Sequence, residues 1–185
     1  MNPLLGVFGA VGTWPDWERF FGRGPRSLAL SFGALAAVFP ALLLVARVQE
    51  AERARRLDAA EIVVDPLVLG LVVTAWLASF AITASLIAVV LRRTERLGLW
   101  ITARNWAVVW LSLALAGVFA LVHATPLPYS VAGGVLFAAY LGLLPIDIRL
   151  AQRAAGFPLM SAILIGCVVV STSMMVFLTG TLIAL

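Results

Sequence analysis

Charged residues divide this chain into five long apolar stretches. The intervals between charges leave apolar runs at 27–46, 66–91, 105–124, 127–146 and 157–185. Each run has about 20 residues or more, which is the helix length that crosses roughly 30 Å of hydrocarbon. The pattern therefore predicts an all-α fold, a polytopic transmembrane bundle of about five spans over 27–185. Residues 1–26 are predicted to form a cytoplasmic or interfacial N-terminal segment.

The connection between the third and fourth runs is short and uncharged. Its residues are Ala124-Thr125-Pro126-Leu127-Pro128, a proline-broken sequence that is typical of a tight turn. We expect two antiparallel spans joined by a tight hairpin. If the two segments did not cross as a pair, three spans would remain, with the termini on the same sides.

Composition excludes two broad classes of protein. Apolar residues make up 63% of the 185 residues and charged residues 12%, which argues against a soluble domain and against intrinsic disorder. There is one histidine and one cysteine, and no glycine-rich phosphate loop, paired metal ligands or serine elbow is present. We therefore expect no catalytic residue, no metal and no cofactor.

Arginine placement predicts the orientation in the membrane. All thirteen basic residues are arginine, which hints at a GC-rich bacterial genome. With the N-terminus inside, nine arginines are cytoplasmic, namely 19, 23, 26, 92, 93, 96, 104, 149 and 153, and four are outside, namely 47, 53, 55 and 56. Positive charge is retained on the cytoplasmic side, so we expect a bacterial inner-membrane protein with a cytoplasmic N-terminus and a periplasmic C-terminus. The net charge of +4 then needs no nucleic-acid partner.

Three aromatic residues precede the first predicted span. Thr13-Trp14-Pro15-Asp16 resembles a helix start, and Trp14, Trp17 and Phe21 follow at spacings that place them on one helical face. Such a face predicts a short helix lying in the headgroup layer. We expect it to anchor the entry to the first span, with lipid or curvature sensing as the alternative.

Two ionisable residues lie closest to the hydrocarbon. Arg104 is at the predicted inner start of the third span, and Asp147 is at the inner end of the fourth. Antiparallel neighbours would bring both to one level, so we expect Arg104 to pair with Asp147, with Arg149 as a competitor. The spans are otherwise expected to hold essentially no charge, which disfavours a solitary pump or ion-coupled transporter.

Small residues recur at four-residue spacing in the fourth predicted span, at Gly134, Ala138 and Gly142. Such stripes allow close approach of helices in a bilayer. We expect this stripe to pack within the chain, and contact with a sister subunit is the alternative.

The five-span layout, the tight hairpin and the stretch Thr102-Ala103-Arg104-Asn105-Trp106-Ala107 resemble the Yip (Ypt-interacting protein) family. In eukaryotes this resemblance implies membrane trafficking with Rab-type GTPases as partners and no enzymatic activity. The Asp-Leu-Tyr-Gly-Pro segment is missing, so GTPase binding is not carried over. Bacterial members imply an integral membrane protein of unknown role.

We therefore expect a non-enzymatic membrane protein that organises lipid or partner proteins. Its expected partners are membrane lipid and another membrane protein or a second copy of the chain. An accessory scaffold subunit of a transport or respiratory complex is the alternative. A lipid-modifying enzyme would need a cytoplasm-facing cluster around a cavity, formed by Arg92, Arg93, Arg104 and Asp147.

Overall fold

The computed structural model describes residues 2–22, 24–57, 65–125 and 128–184, and within them all regular secondary structure is helical. Its α-helices are α1 (Pro3–Val11), α2 (Pro25–Ala34), α3 (Val38–Leu57), α4 (Pro66–Val90), α5 (Leu97–Ala124), α6 (Tyr129–Arg153) and α7 (Leu159–Ala184). Short 3₁₀ turns occur at Trp17–Phe20, Leu35–Ala37 and Thr94–Arg96. The prediction of an all-α bundle is confirmed.

Five helices in the described residues are long and apolar enough to cross a membrane, as predicted. The first combines α2, the turn Leu35–Ala37 and the first part of α3. The five segments are Pro25–Glu52, Pro66–Val90, Thr94–Ala124, Ser130–Arg153 and Leu159–Gly180. The third and fourth are separate helices packed against each other, which supports the hairpin reading rather than the three-span alternative.

Helix α5 occupies the centre of the bundle. It packs against α2 and α3 on one side and against α6 on the other, while α6 packs against α7 and α7 against α4. Contact between α3 and α4 is slight. One end of the bundle carries the exposed arginines Arg92, Arg93, Arg96 and Arg149, and we refer to it as the basic end.

The core follows the antiparallel register of α5 and α6. Towards the basic end, buried Trp100 of α5 belongs to one apolar cluster with Leu150 and Ala151 of α6. At the opposite end, buried Phe119 and Ala132 belong to one apolar cluster. Apolar burial along the whole seam therefore fixes which residues of the two helices face each other.

Two helices extend beyond the predicted spans at the basic end. The third helix begins at Leu97 rather than at residue 105, and α6 continues past Pro145 to Arg153 rather than ending at 146. The prediction ended each span at a charged residue, but a charge that is paired inside the bundle does not end a helix. The helices that contain the third and fourth predicted spans therefore also carry Arg104 and Asp147.

The N-terminal segment differs from its prediction as well. Residues 13–16 do not begin an amphipathic helix: Asp16 adopts a left-handed conformation (φ 53°), and only the 3₁₀ turn Trp17–Phe20 follows. The helix lies earlier, in α1, which packs against α5, α6 and this turn. Glycines make that approach possible, because a Cβ atom at Gly6 would lie 2.7 Å from the Phe21 ring.

Candidate functional site

A buried ion pair joins α5 to α6, as the sequence predicted. Arg104 Nε donates a hydrogen bond of 2.8 Å to Asp147 Oδ1, and the two side chains are 4% and 1% exposed. The Arg104 guanidinium also lies over the Phe80 ring, 4.9 Å from its centroid. Arg149 does not compete for Asp147, because it is exposed and donates to Gln152 instead.

The pair lies well inside the helices. Arg104 is about 10 Å along the axis from the start of α5, and Asp147 is about 9 Å from the end of α6. Asp147 Oδ2 is buried and has no hydrogen-bond partner in the described chain. The pair thus tethers two helices at a desolvation cost, and it forms only part of the hydrogen bonds that its groups can make.

Asn105, the residue after Arg104, is hydrogen-bonded to a different helix, α2. Asn105 Nδ2 donates to Ser31 Oγ at 3.1 Å, and Ser31 Oγ donates to the Leu28 carbonyl oxygen at 2.7 Å. Trp106 is partly buried and packs against two of the apolar clusters. The stretch that carries the Yip resemblance is therefore the place where α5 is joined to both α2 and α6.

The cluster required for a lipid-modifying enzyme is not assembled among the described side chains. Arg104 and Asp147 are enclosed in the bundle, whereas Arg92 and Arg93 are exposed at the end of α4. Arg93 Nη1 donates to the Gly156 carbonyl oxygen at 3.4 Å. The four side chains therefore do not surround a shared cavity.

Arg153, which the sequence prediction did not single out, holds the N-terminal helix. Its guanidinium donates to the main-chain carbonyl oxygens of Gly9, Ala10, Gly12 and Trp14. It also lies 5.7 Å from the centroid of the Trp17 ring. A cation at a helix C-terminus satisfies carbonyls that lack intrahelical partners. Its position at the end of a span suggested only a topology signal, so the sequence offered no sign of this role.

The three N-terminal aromatic residues do not share an exposed face. Trp17 and Phe21 are buried and pack edge-on with ring centroids 5.8 Å apart, whereas Trp14 is 47% exposed. Trp17 and Phe21 belong to the core cluster at the basic end. The predicted headgroup-facing helix is therefore wrong, because burial against α1 outweighs interfacial exposure for two of its three residues.

The small-residue stripe of α6 faces outward. Gly134 and Ala138 are exposed and Gly142 is partly exposed, and a Cβ atom at either glycine would meet nothing within 4 Å. The expectation that this stripe packs within the chain is wrong. The α5–α6 and α6–α7 contacts use other faces of α6, which leaves the stripe without a helix against it in the described structure.

No group of three or more potential metal ligands occurs among the described residues. The sequence matches no known family model, and no similar curated protein or solved structure was found.

Proposed function

We propose that this chain is a non-enzymatic integral membrane protein that organises a partner membrane protein or a second copy of itself. The observation that carries the proposal is the outward stripe Gly134, Ala138 and Gly142. Helices associate in lipid by close packing rather than by the hydrophobic effect, and small residues permit that packing. The face that we propose for association is the α6 surface containing these three residues.

The interior supports a structural role for the same helix. The Arg104–Asp147 pair and the apolar seam fix α6 against α5, so its outward face is held on a rigid support. A preorganised surface loses less conformational entropy on association than a mobile one. Membership of a Yip-like group, with membrane lipid as a further partner, remains part of the proposal.

The same face fits the second candidate, an accessory scaffold subunit of a larger transport or respiratory complex. In that case the partner helix belongs to another protein, which supplies the cofactor chemistry. We propose the bacterial inner membrane as the location, with the basic end in the cytoplasm, because its exposed arginines follow the positive-inside rule.

Cysteine cross-linking in native membranes tests the α6 face. In a Cys167→Ser background, Ala138→Cys is expected to give a disulfide-linked species, either a homodimer or a defined heteromer. The matched control is Leu86→Cys, on the exposed surface of α4. Adding Gly134→Leu and Gly142→Leu should lower the cross-linked fraction several-fold, because the larger side chains separate the helices.

A homodimer supports self-association, and a defined heteromer supports the scaffold-subunit alternative. If Ala138→Cys cross-links no better than Leu86→Cys, and the purified protein is monomeric in mild detergent, the organising role of α6 is wrong.

A further inference from the structure

Two buried polar atoms at the α5–α6 seam have no hydrogen-bond partner among the residues that the structure describes. One is Asp147 Oδ2, the carboxylate oxygen that Arg104 Nε does not contact, and the other is the indole Nε1 of Trp100. Both residues are fully buried, with 1% of their surface exposed. A buried donor or acceptor without a partner is costly, and native proteins seldom leave one unsatisfied. Each atom therefore indicates a polar partner from outside the described chain.

The two residues belong to one cluster around the Phe80 ring. The Arg104 guanidinium, which is bonded to Asp147, lies 4.9 Å from the centroid of this ring, and the Trp100 ring packs edge-on against it with centroids 5.8 Å apart. Trp100 precedes Arg104 by four residues, which is about 6 Å along the helix axis. The unpartnered acceptor on α6 and the unpartnered donor on α5 therefore lie at neighbouring levels of the same seam.

The two atoms require opposite kinds of partner. An indole Nε1–H only donates a hydrogen bond, whereas the oxygen of an ionised carboxylate only accepts one. Protonation of Asp147 does not remove the requirement, because its O–H would then be a second buried donor without an acceptor. A single group that both accepts and donates satisfies the two atoms together.

Charge and burial restrict that group to a small neutral molecule. Arg104 repels a cation and Asp147 repels an anion, and the burial of Trp100 and Asp147 excludes a group as large as a lipid headgroup. Water is small and neutral, and it both donates and accepts. Two hydrogen bonds of about 2.8 Å each allow it to join atoms up to about 5.6 Å apart, a separation close to one helical turn.

We propose that an internal water molecule bridges Trp100 Nε1 on α5 and Asp147 Oδ2 on α6. The water accepts from Trp100 and donates to Asp147, and the Arg104 guanidinium has further N–H groups that can supply a third hydrogen bond. Buried waters typically make about three hydrogen bonds. The ion pair is then part of a hydrated junction inside the membrane-spanning bundle. The proposal concerns the interior of the molecule and does not depend on association through the outward face of α6.

X-ray radiolysis followed by mass spectrometry detects such a water, because hydroxyl radicals formed from a bound water oxidise the side chain beside it. We expect oxidation of Trp100 in the full chain to be several-fold faster than in the double variant Arg104→Leu with Asp147→Leu, which removes the polar partners of the water. Trp76 is the matched control, because it lies in an apolar cluster and should be oxidised equally in both proteins. Equal oxidation of Trp100 in the two proteins would overturn the proposal.

NMR of protein labelled with ¹⁵N in its tryptophan side chains gives a second readout. The Trp100 indole resonance is identified by its loss in Trp100→Phe, which keeps an aromatic ring between Phe80 and Phe157. We expect cross-relaxation from water to the Trp100 indole proton in the unsubstituted protein, and loss of this signal in the leucine double variant. The indole of Trp110 should give the same spectrum in both proteins.

A direct hydrogen bond from Trp100 to Asp147 is the competing arrangement. It would move the Trp100 indole proton downfield without cross-relaxation from water, and that result would overturn the water site. The measurement on the unsubstituted protein is decisive by itself, because a Trp100 indole proton that shows no contact with water contradicts the proposal whether or not the variants fold.

Discussion

At the residue scale, the two arginines that the sequence offers as partners of Asp147, Arg104 and Arg149, have opposite environments. Arg104 is buried against Asp147, whereas Arg149 is exposed and donates to Gln152 on its own helix. Because Arg104 and Asp147 are buried, removal of either one lowers stability by leaving an uncompensated charge in a medium of low dielectric constant. An exposed side chain such as Arg149 contributes little to stability.

Asp147→Leu is therefore expected to destabilise the protein by about 3–5 kcal/mol, since Arg104 would remain buried and unpaired. The double variant Arg104→Leu with Asp147→Leu should recover most of that loss. Reversible unfolding in detergent measures the free energies, and Arg149→Leu serves as the control with a change within about 0.5 kcal/mol.

The charge swap gives a second test of the same pair. Arg104→Asp combined with Asp147→Arg should be better folded than either single substitution. If the swap is no better than the single variants, the ion pair does not stabilise the α5–α6 seam.

At the scale of elements, α1 is a short apolar helix that depends on its contacts for stability. A nine-residue helix is marginal by itself in water. Arg153 supplies donors to its C-terminal carbonyl oxygens, and the turn Trp17–Phe20 packs against it. Arg153 of α6 thus adds polar contacts to the apolar packing of α1 against α5, α6 and this turn.

Arg153→Ala is expected to release α1 from α6, because the carbonyl oxygens lose their donor and the Trp17 ring loses its cation. Hydrogen exchange of the residue 3–11 amides should become at least about tenfold faster, while exchange in α7 stays unchanged. Arg149→Ala is the matched control. Unchanged protection of α1 in Arg153→Ala would show that apolar packing alone holds this helix.

At the scale of the whole molecule, the exposed arginines of the basic end define its polarity. Residues 91–96 and the end of α6 lie at this end, whereas the end of α5 and the start of α6 lie at the opposite end. By the positive-inside rule, we predict that the basic end faces the cytoplasm.

Accessibility labelling checks this orientation in intact cells. In the Cys167→Ser background, a membrane-impermeant maleimide should label Thr125→Cys, at the opposite end, and should label Arg92→Cys only after the cells are lysed. The reverse pattern would place the basic end outside and overturn the topology.

The sequence alone determined the five-helix membrane architecture, because the length of an apolar run must match the hydrocarbon thickness. It also predicted the Arg104–Asp147 pair, since a short turn makes α5 and α6 antiparallel neighbours and so fixes which ends meet. Both predictions depend on the length of apolar runs and on the short connection between two of them, and a single sequence contains this information.

Tertiary structure alone decided which faces are buried. Gly134 and Ala138 face outward although small residues suit an internal contact equally well, and Trp17 and Phe21 are buried although aromatic residues also suit a headgroup layer. The contact of Arg153 with α1 spans about 140 residues, so no local pattern records it. Nearly every face of these helices is apolar, so hydrophobicity alone does not distinguish a face that contacts lipid from one that contacts another helix. The packing of all the helices together decides which faces are buried.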